Sequence, residues 1–200
     1  MIRIHLLLIL VSFSSSLFSQ EKTQIVLDST GTFLWDSQTS SWVYDRHNTY
    51  SYDSYGNQSE NINYHRTPQT NEWFGSWRYT YQYDDMGNQT EAVTFQWDQE
   101  IKNWVNKERC VQMYDANGIR TELIKSRWES ETNDWIEKEL NIYDSDATGK
   151  PTEVITYDWE AETHDWIEYC RNATTYDDNG NPSVSTEDIW NPTINDWAGG

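Results

Sequence analysis

The chain has 200 residues and a formal net charge of −19 at pH 7. So acidic a chain repels phosphate groups, which excludes nucleic acid and anionic membrane surfaces as partners. Many charges and few aliphatic residues are typical of disorder, but 12 Trp and 13 Tyr supply the apolar area that a fold requires.

Residues 1–19 have the features of a secretory signal peptide. Arg3 gives a basic start, residues 6–18 form an apolar run, and the small residue Ser19 precedes Gln20. The apolar run is too short to span a membrane. We therefore expect a mature chain that begins near Gln20, is secreted or held at the cell surface, and does not insert into the membrane.

After a lead-in over residues 20–30, residues 31–200 show a period of 31 residues. We interpret them as a β-hairpin repeat domain of about five units, the last of them truncated, because self-similarity at such a period indicates a repeat architecture. Three series keep this period: Trp35, Trp97, Trp128, Trp159 and Trp190; Trp42, Trp73, Trp104, Trp135, Trp166 and Trp197; and the turn glycines Gly56, Gly87, Gly118, Gly149 and Gly180. Arg66 interrupts the first series, at the position where it requires a tryptophan.

The first half of each unit predicts a β-strand. Residues 90–97 are rich in β-branched and aromatic side chains, and alternation places Glu91, Val93, Phe95 and Trp97 on one face. No segment keeps the 3.6-residue period of a helix. The equivalent face in a later unit is formed by Glu153, Ile155, Tyr157 and Trp159.

A six-residue turn then joins the two tryptophans of a unit, so the sequence predicts that they face each other across the hairpin. Trp97 would face Trp104, and two further pairs are Trp128 with Trp135 and Trp159 with Trp166. The second strand covers residues 104–114. Even spacing predicts that its first Trp and its last Tyr share a face, as for Trp42 and Tyr52, Trp73 and Tyr83, Trp104 and Tyr114, and Trp166 and Tyr176.

The turn between units has its own chemistry. In Tyr176-Asp177-Asp178-Asn179-Gly180, the first Asp opens a type I turn and the Gly supplies a positive φ. Two strands per unit then give an all-β fold. We predict an antiparallel meander of about eleven strands between residues 35 and 190, built as one elongated, twisted sheet.

The units resemble a known class of secreted proteins. The segments GNQTEAVTFQWDQEIKNW and WVNKERCVQMYDANG are similar to the Trp/Tyr-rich repeats of Bacteroidetes proteins that often end in a type IX secretion sorting domain. The YDxxGN element is also similar to the YD repeats of Rhs proteins, which form β-sheet shells. The resemblance implies export through the outer membrane and attachment to the cell surface.

No residues with catalytic spacing stand out, and the sequence predicts no cofactor and no metal. The acids before Gly180 resemble part of a calcium loop, but Asn191 stands where that loop requires a bidentate Glu. Turn chemistry explains these acids without a metal. Cys110 and Cys170 lie two units apart in an open meander, which predicts two free thiols.

Two functions from different classes remain. A non-enzymatic structural spacer or adhesion module is favoured by the period and by the missing catalytic set. The alternative is a carbohydrate-binding module that uses the periodic tryptophans as stacking platforms, with Glu60, Glu91, Glu122 and Glu153 for sugar hydroxyls. Its partner would be an extracellular polysaccharide; a spacer would meet another surface protein. The stacking candidates are Trp97, Trp104, Trp128, Trp135, Trp159 and Trp166.

Overall fold

The computed structural model describes residues 3–4, 26–67 and 72–199. The predicted signal peptide, apart from Arg3–Ile4, and the start of the lead-in lie outside the described residues. The described residues form strands and no helix. The strands are β1 (Arg3–Ile4), β2 (Ser29–Asp36), β3 (Ser41–Tyr52), β4 (Gln58–Arg66), β5 (Trp73–Tyr83), β6 (Gln89–Asp98), β7 (Asn103–Tyr114), β8 (Arg120–Glu129), β9 (Asp134–Ser145), β10 (Pro151–Glu160), β11 (Asp165–Tyr176), β12 (Pro182–Asn191) and β13 (Asp196–Gly199).

The strand order follows the chain from β1 to β13, so the fold is one open antiparallel meander. This confirms the prediction of an all-β single sheet, and the eleven strands predicted between residues 35 and 190 are β2 to β12. The sheet continues into β13, which pairs with β12 through Trp197 and Trp190. Within the described ranges there is no helix of sufficient length and apolarity to cross a membrane.

The chain divides into two compact parts, called unit 1 and unit 2, which are distinct from the 31-residue repeats. Unit 1 contains residues 1–82 and 93–107, and unit 2 contains residues 83–92 and 108–200. In unit 1, β2 pairs with β3, β3 with β4 and β4 with β5. In unit 2, strands β7 to β12 pair in sequence, each with the next.

A β-bulge recurs in the second strand of the hairpins, three residues after the second tryptophan. In β11, Thr156 pairs with Cys170 and Tyr157 pairs with Glu168, so Tyr169 is left without a partner. Such an extra residue bends the strand and switches its alternation. The bulged residues found in this way are Asp45, Ser76, Lys138 and Tyr169.

The bulge corrects one prediction. An unbroken strand would place Trp166 and Tyr176 on one face, but the extra residue Tyr169 sends them to opposite faces. The same prediction is wrong for Trp42 and Tyr52, which lie on either side of the bulge in β3. We use "tryptophan face" for the face that carries the tryptophan pairs and "tyrosine face" for the other.

The single layer of strands leaves few side chains buried. Among the described residues, only Gly75, Ser126, Asn141 and Cys170 are buried, and no large side chain is fully enclosed. Apolar area is instead covered by neighbours in the same sheet, strand against strand. The tryptophans and tyrosines, which are large enough to reach those neighbours, therefore do the packing that aliphatic residues do in a two-layer fold.

Candidate functional site

The five tryptophan pairs share one geometry. Their ring centroids lie 5.1 to 5.4 Å apart and their ring planes meet at 69 to 75°, an edge-to-face arrangement. Facing positions across each hairpin bring the rings together, and the aromatic quadrupole favours this angle. The pairs are Trp35 with Trp42, Trp97 with Trp104, Trp128 with Trp135, Trp159 with Trp166, and Trp190 with Trp197.

The six stacking candidates are half-buried, and the two rings of a pair cannot both lie flat on the sheet. Trp97, Trp104, Trp128, Trp135, Trp159 and Trp166 all have intermediate exposure. Because each ring stands steeply against its partner, at most one of the two can offer a face to a sugar. Greater exposure occurs in the hairpin of β2 and β3, where Trp35 is 42% and Trp42 is 47% exposed.

The interruption of the first series changes the packing around Trp73. Arg66 stands opposite Trp73 where the period requires a tryptophan. Trp73 packs edge-on against Tyr44 instead, with centroids 4.8 Å apart. Trp73 and Trp97 line an open groove of about 550 Å³, together with Glu72, Phe74, Gln99 and Lys102.

The periodic glutamates, which were candidates for sugar hydroxyls, contact arginines 18 residues later. Nε of Arg78 lies 2.7 Å from Glu60. The same bond joins Arg109 to Glu91 at 2.6 Å. In the last copy Arg171 lies 3.9 Å from Glu153 and 2.7 Å from Asp188, and Leu140 takes the arginine's place beside Glu122. Three of the four glutamates are thus engaged within the sheet.

The turn glycines adopt the backbone conformation that the sequence requires. Their φ angles lie between 77 and 90°, a region that favours Gly, at Gly56, Gly87, Gly118, Gly149 and Gly180. Three residues before each glycine, an Asp carboxylate accepts backbone N–H bonds. Asp84 accepts from Met86 at 2.9 Å and from Asn88 at 2.8 Å. In the turn before Gly149, Asp146 takes this role.

These hydrogen bonds also set the protonation of the turn acids. The Asn88 side chain and the backbone N–H groups hold the pKa of Asp84 below its ordinary value. The pKa values of Asp53, Asp115, Asp146 and Asp177 are lowered by bonds of the same kind. Within the described ranges, no three His, Cys, Asp or Glu side chains are placed to hold a metal ion. The turn acids accept their hydrogen bonds from the chain's own turns.

The last tyrosine of the second strand ties that strand to the start of its own hairpin. The Tyr114 hydroxyl donates a hydrogen bond to the carbonyl oxygen of Gln89 at 2.9 Å. Tyr52 bonds Leu27 and Tyr176 bonds Pro151 in the same way, both at 2.7 Å and both 25 residues back. This repeated bond was not predicted, because for Tyr52 and Tyr176 it depends on the bulge that turns the tyrosine away from the tryptophan face.

The bulges coincide with clefts on the tyrosine face. In unit 1, a cleft of about 730 Å³, which we name the Trp77 cleft, is lined by Thr32, Asp45, Arg46, Asn48, Asn63, Tyr64, His65, Arg66, Ser76 and Trp77. In unit 2, a cleft of about 250 Å³, the Cys110 cleft, is lined by Glu108, Arg109, Cys110, Lys125, Ser126, Lys138, Glu139 and Asp158. The sequence analysis missed these clefts; Trp77, the one tryptophan outside the 31-residue period, is the signal that could have pointed to the first.

Both cysteines are free. Cys170 is buried, and its sulfur accepts a hydrogen bond from Asn172 at 3.3 Å. Cys110 is half-buried. Burial raises the pKa of both thiols, so neither is an activated nucleophile at neutral pH.

Comparison with known proteins identifies the fold. No family model matches the chain, and no curated protein matches it either. A solved structure of a protein with unknown function from Bacteroides fragilis is similar, with 19% identity and a TM-score of 0.54 over 64% of this chain and 91% of that one. A DUF3836 family protein from Bacteroides vulgatus, 21% identical, aligns over 46% of this chain and 90% of its own with a TM-score of 0.39.

Proposed function

We propose that the chain is a secreted, non-enzymatic β-repeat protein that acts as a structural spacer or adhesion module. Its repeated polar groups are used to join one strand to the next. Asp turns, tyrosine hydroxyl bonds and Glu–Arg pairs recur with the period and find their partners inside the sheet. This recurrence is the observation that carries the proposal, because an active site needs groups left over for a substrate.

The location is part of the proposal. The signal peptide over residues 1–19 supports export, and the resemblance to Trp/Tyr-rich Bacteroidetes repeats supports a place at the cell surface. There the module would meet an extracellular polysaccharide or another surface protein. Mass spectrometry of the exported chain should give the mass of a chain whose first residue is Gln20. An exported chain that retains residues 1–19 would contradict the prediction of a signal peptide.

Removal of one whole unit tests the structural role. Deleting residues 119–149 joins Gly118 to Lys150 and leaves every remaining hairpin with its own partners. We expect the shortened chain to keep its β circular dichroism spectrum and a cooperative urea transition, as nearest-neighbour repeat energetics require. Deleting residues 119–133 is the control, since it removes a single strand and reverses the following register. Loss of folding in both chains would contradict a modular repeat.

A carbohydrate-binding role for the periodic tryptophans is the second candidate. The groove beside Trp73 and Trp97 is the observation that favours it, since two half-exposed indoles flank an open space. Affinity electrophoresis in gels of different polysaccharides tests this candidate. Retardation that is lost in a folded triple variant, Trp97→Ala, Trp128→Ala and Trp159→Ala, would support it; retardation that the variant retains would oppose it.

A further inference from the structure

The two units differ sharply in charge. Unit 2 contains 24 Asp and Glu against 7 Lys and Arg, whereas unit 1 contains 9 against 7. The net charge of −19 therefore divides into −17 for unit 2 and −2 for unit 1. The field that repels anions is concentrated on unit 2, and unit 1 is nearly neutral. An uncharged ligand would find an aromatic surface with few competing charges in unit 1.

The tryptophan face of unit 1 departs twice from the period, and both departures fall in the hairpin of β4 and β5. Arg66, rather than a tryptophan, stands opposite Trp73. Gly75 stands where the other repeats carry larger side chains, which are Tyr44, Asn106, Glu137 and Glu168. This hairpin therefore presents less aromatic and side-chain bulk on the tryptophan face than a regular repeat would.

We infer that the groove beside this hairpin binds the end of a neutral oligosaccharide. We name it the Trp73 groove. It is an open space of about 550 Å³ lined by Glu72, Trp73, Phe74, Trp97, Gln99 and Lys102. The volume lies within the usual range for small-molecule sites, roughly 300 to 1,000 Å³. The inference rests on the proposed carbohydrate-binding role of the periodic tryptophans, and it replaces a row of stacking platforms by one site.

One wall of the Trp73 groove is the indole of Trp73, which is 39% exposed. Its ring centroid lies 4.8 Å from that of Tyr44 and 6.1 Å from that of His47, both on β3. Because β3 and β6 lie on opposite sides of β5, the other side of the indole is turned toward the strand that carries Trp97. An indole open on one side can stack on the C–H face of a pyranose ring.

The opposite wall is held in place before a ligand binds. Trp97 packs edge to face against Trp104, with ring centroids 5.2 Å apart. Trp104 in turn lies against Gly75, where an added Cβ atom would clash with its ring. Since both indoles are fixed by their neighbours, little side-chain entropy is lost when a sugar enters between them.

The Trp73 groove differs from the tryptophan pairs in having room for a ring. A ring stacked between two others requires about 7 Å between them, twice the contact distance of carbon atoms. Trp128 and Trp135 face each other within one hairpin, and their centroids are only 5.1 Å apart. Trp73 and Trp97 belong to neighbouring hairpins and flank open space. A sugar can therefore enter between these two indoles, but not between the members of a pair.

The lining favours a neutral sugar over a charged one. Among the described residues that line the groove, Glu72 is the one acid and Lys102 the one base, so their charges balance. Lys102 and the amide of Gln99 offer hydrogen bonds to sugar hydroxyls, which both donate and accept. A uronate would find no excess of cations here, and its carboxylate would lose hydration against two indoles.

Calorimetry on the full chain tests the inference with neutral and acidic trisaccharides. The neutral probes are cellotriose, maltotriose and xylotriose, and the acidic probe is trigalacturonate. We expect saturable binding of at least one neutral sugar, and binding of trigalacturonate that is weaker by about tenfold or more. No saturable binding of any neutral sugar would overturn both the inference and the carbohydrate-binding role. Equal or stronger binding of trigalacturonate would overturn the inference alone.

Indole N–H signals locate the bound sugar without any change to the chain under test. The 12 tryptophans give ¹⁵N-correlated indole signals, which single Trp→Phe variants assign. We expect the neutral sugar to shift the signals of Trp73 and Trp97 most. Shifts confined to the other stacking candidates, which are Trp128, Trp135, Trp159 and Trp166, would keep the carbohydrate-binding role and overturn the inference.

A matched pair of variants completes the test. Trp73→Ala should weaken binding of the neutral sugar by about tenfold or more. Trp197→Ala, the same change at the equivalent position of the last repeat, should leave binding unchanged. Urea midpoints establish that each variant is folded, and if Trp73→Ala unfolds, the indole signals of the unaltered chain decide. Binding that a folded Trp73→Ala chain retains at full strength would overturn the inference.

Discussion

Trp104 lies directly over Gly75, so that a Cβ atom built on Gly75 would stand 2.6 Å from Cη2 of the indole. Gly75 is itself buried and pairs with Tyr64 in the neighbouring strand. The absence of a side chain at position 75 lets the six-membered ring of Trp104 rest on the backbone of β5. One hairpin is thereby seated on its neighbour through a glycine and a tryptophan.

Gly75→Ala should destabilise the fold. The added methyl group must displace a large indole, and such overpacking costs about 1 to 3 kcal/mol of the free energy of unfolding. Urea denaturation followed by circular dichroism measures this loss. Gly199→Ala is the control, because the atom nearest its Cβ is Oδ1 of Asp188, the end of a side chain that can turn away. An equal loss in both variants would contradict the role of the Trp104 contact.

The edge-to-face pair Trp128 and Trp135 should show energetic coupling. Its centroids are 5.1 Å apart and its planes meet at 72°. In a double-mutant cycle of alanine variants we expect a coupling energy of about 0.5 to 1.5 kcal/mol. Trp128 with Trp197, which lies five strands further along the sheet, is the control pair and should be additive. Coupling of the same size in the control pair would indicate a general loss of structure.

The hairpin turns contain residues in the left-handed region that favours glycine. Lys102 has a φ of 53° and Asn133 a φ of 61°. Asn tolerates this conformation better than Lys does. Lys102→Gly should therefore raise the free energy of unfolding by about 0.5 to 1 kcal/mol, and Asn133→Gly by less. Thermal and urea unfolding of the two variants compare their free energies of unfolding. A destabilised Lys102→Gly chain would contradict backbone strain at Lys102.

The turn aspartates predict a loss of stability in acid. Their folded pKa values are lowered by hydrogen bonds to the turn, so their contribution is fully present above the unfolded value of about 4. It is lost as the pH falls from there through the lower folded values. Urea midpoints between pH 7 and pH 2.5 should decline in that window, and less in Asp84→Asn. A midpoint independent of pH there would contradict the turn bonds.

The two free thiols should differ in reactivity. Cys110 is half-buried and Cys170 is buried, and the raised pKa values slow both. With a thiol reagent at pH 8 we expect one slow phase from Cys110, a slower phase from Cys170, and two rapid equivalents in urea. The Cys170→Ala variant assigns the slower phase. No reactive thiol in urea would show a disulfide and contradict the open meander.

The fold was predictable because large residues recur at one step. The paired tryptophans predicted the hairpins and their facing positions, and the glycine series predicted the turns between units. The bulge was not predictable, because the bulged residues Asp45, Ser76, Lys138 and Tyr169 share no side-chain property. Their position is set by hairpin geometry rather than by residue type. Without the bulge, the tyrosine bonds and the clefts could not be derived.

The candidate site was also predictable only where it follows the period. Period alone directed attention to the tryptophan pairs, whose rings contact each other at steep angles and whose glutamate neighbours contact arginines. Trp77 differs from these tryptophans because it lies outside the period, so the repeat does not explain it. Its side of the sheet depends on the bulge at Ser76, so the sequence could not place it on the face opposite the tryptophan pairs.

The central claim is that the periodic tryptophans maintain the fold, whereas Trp77, which lies outside the period, contributes little to its stability. Urea denaturation of Trp77→Ala beside Trp128→Ala tests it most directly. We predict that Trp128→Ala lowers the free energy of unfolding by about 2 kcal/mol or more, through lost burial and the lost ring contact, and Trp77→Ala by less than half as much. An equal or larger loss in Trp77→Ala would make Trp77 a structural residue and contradict the account.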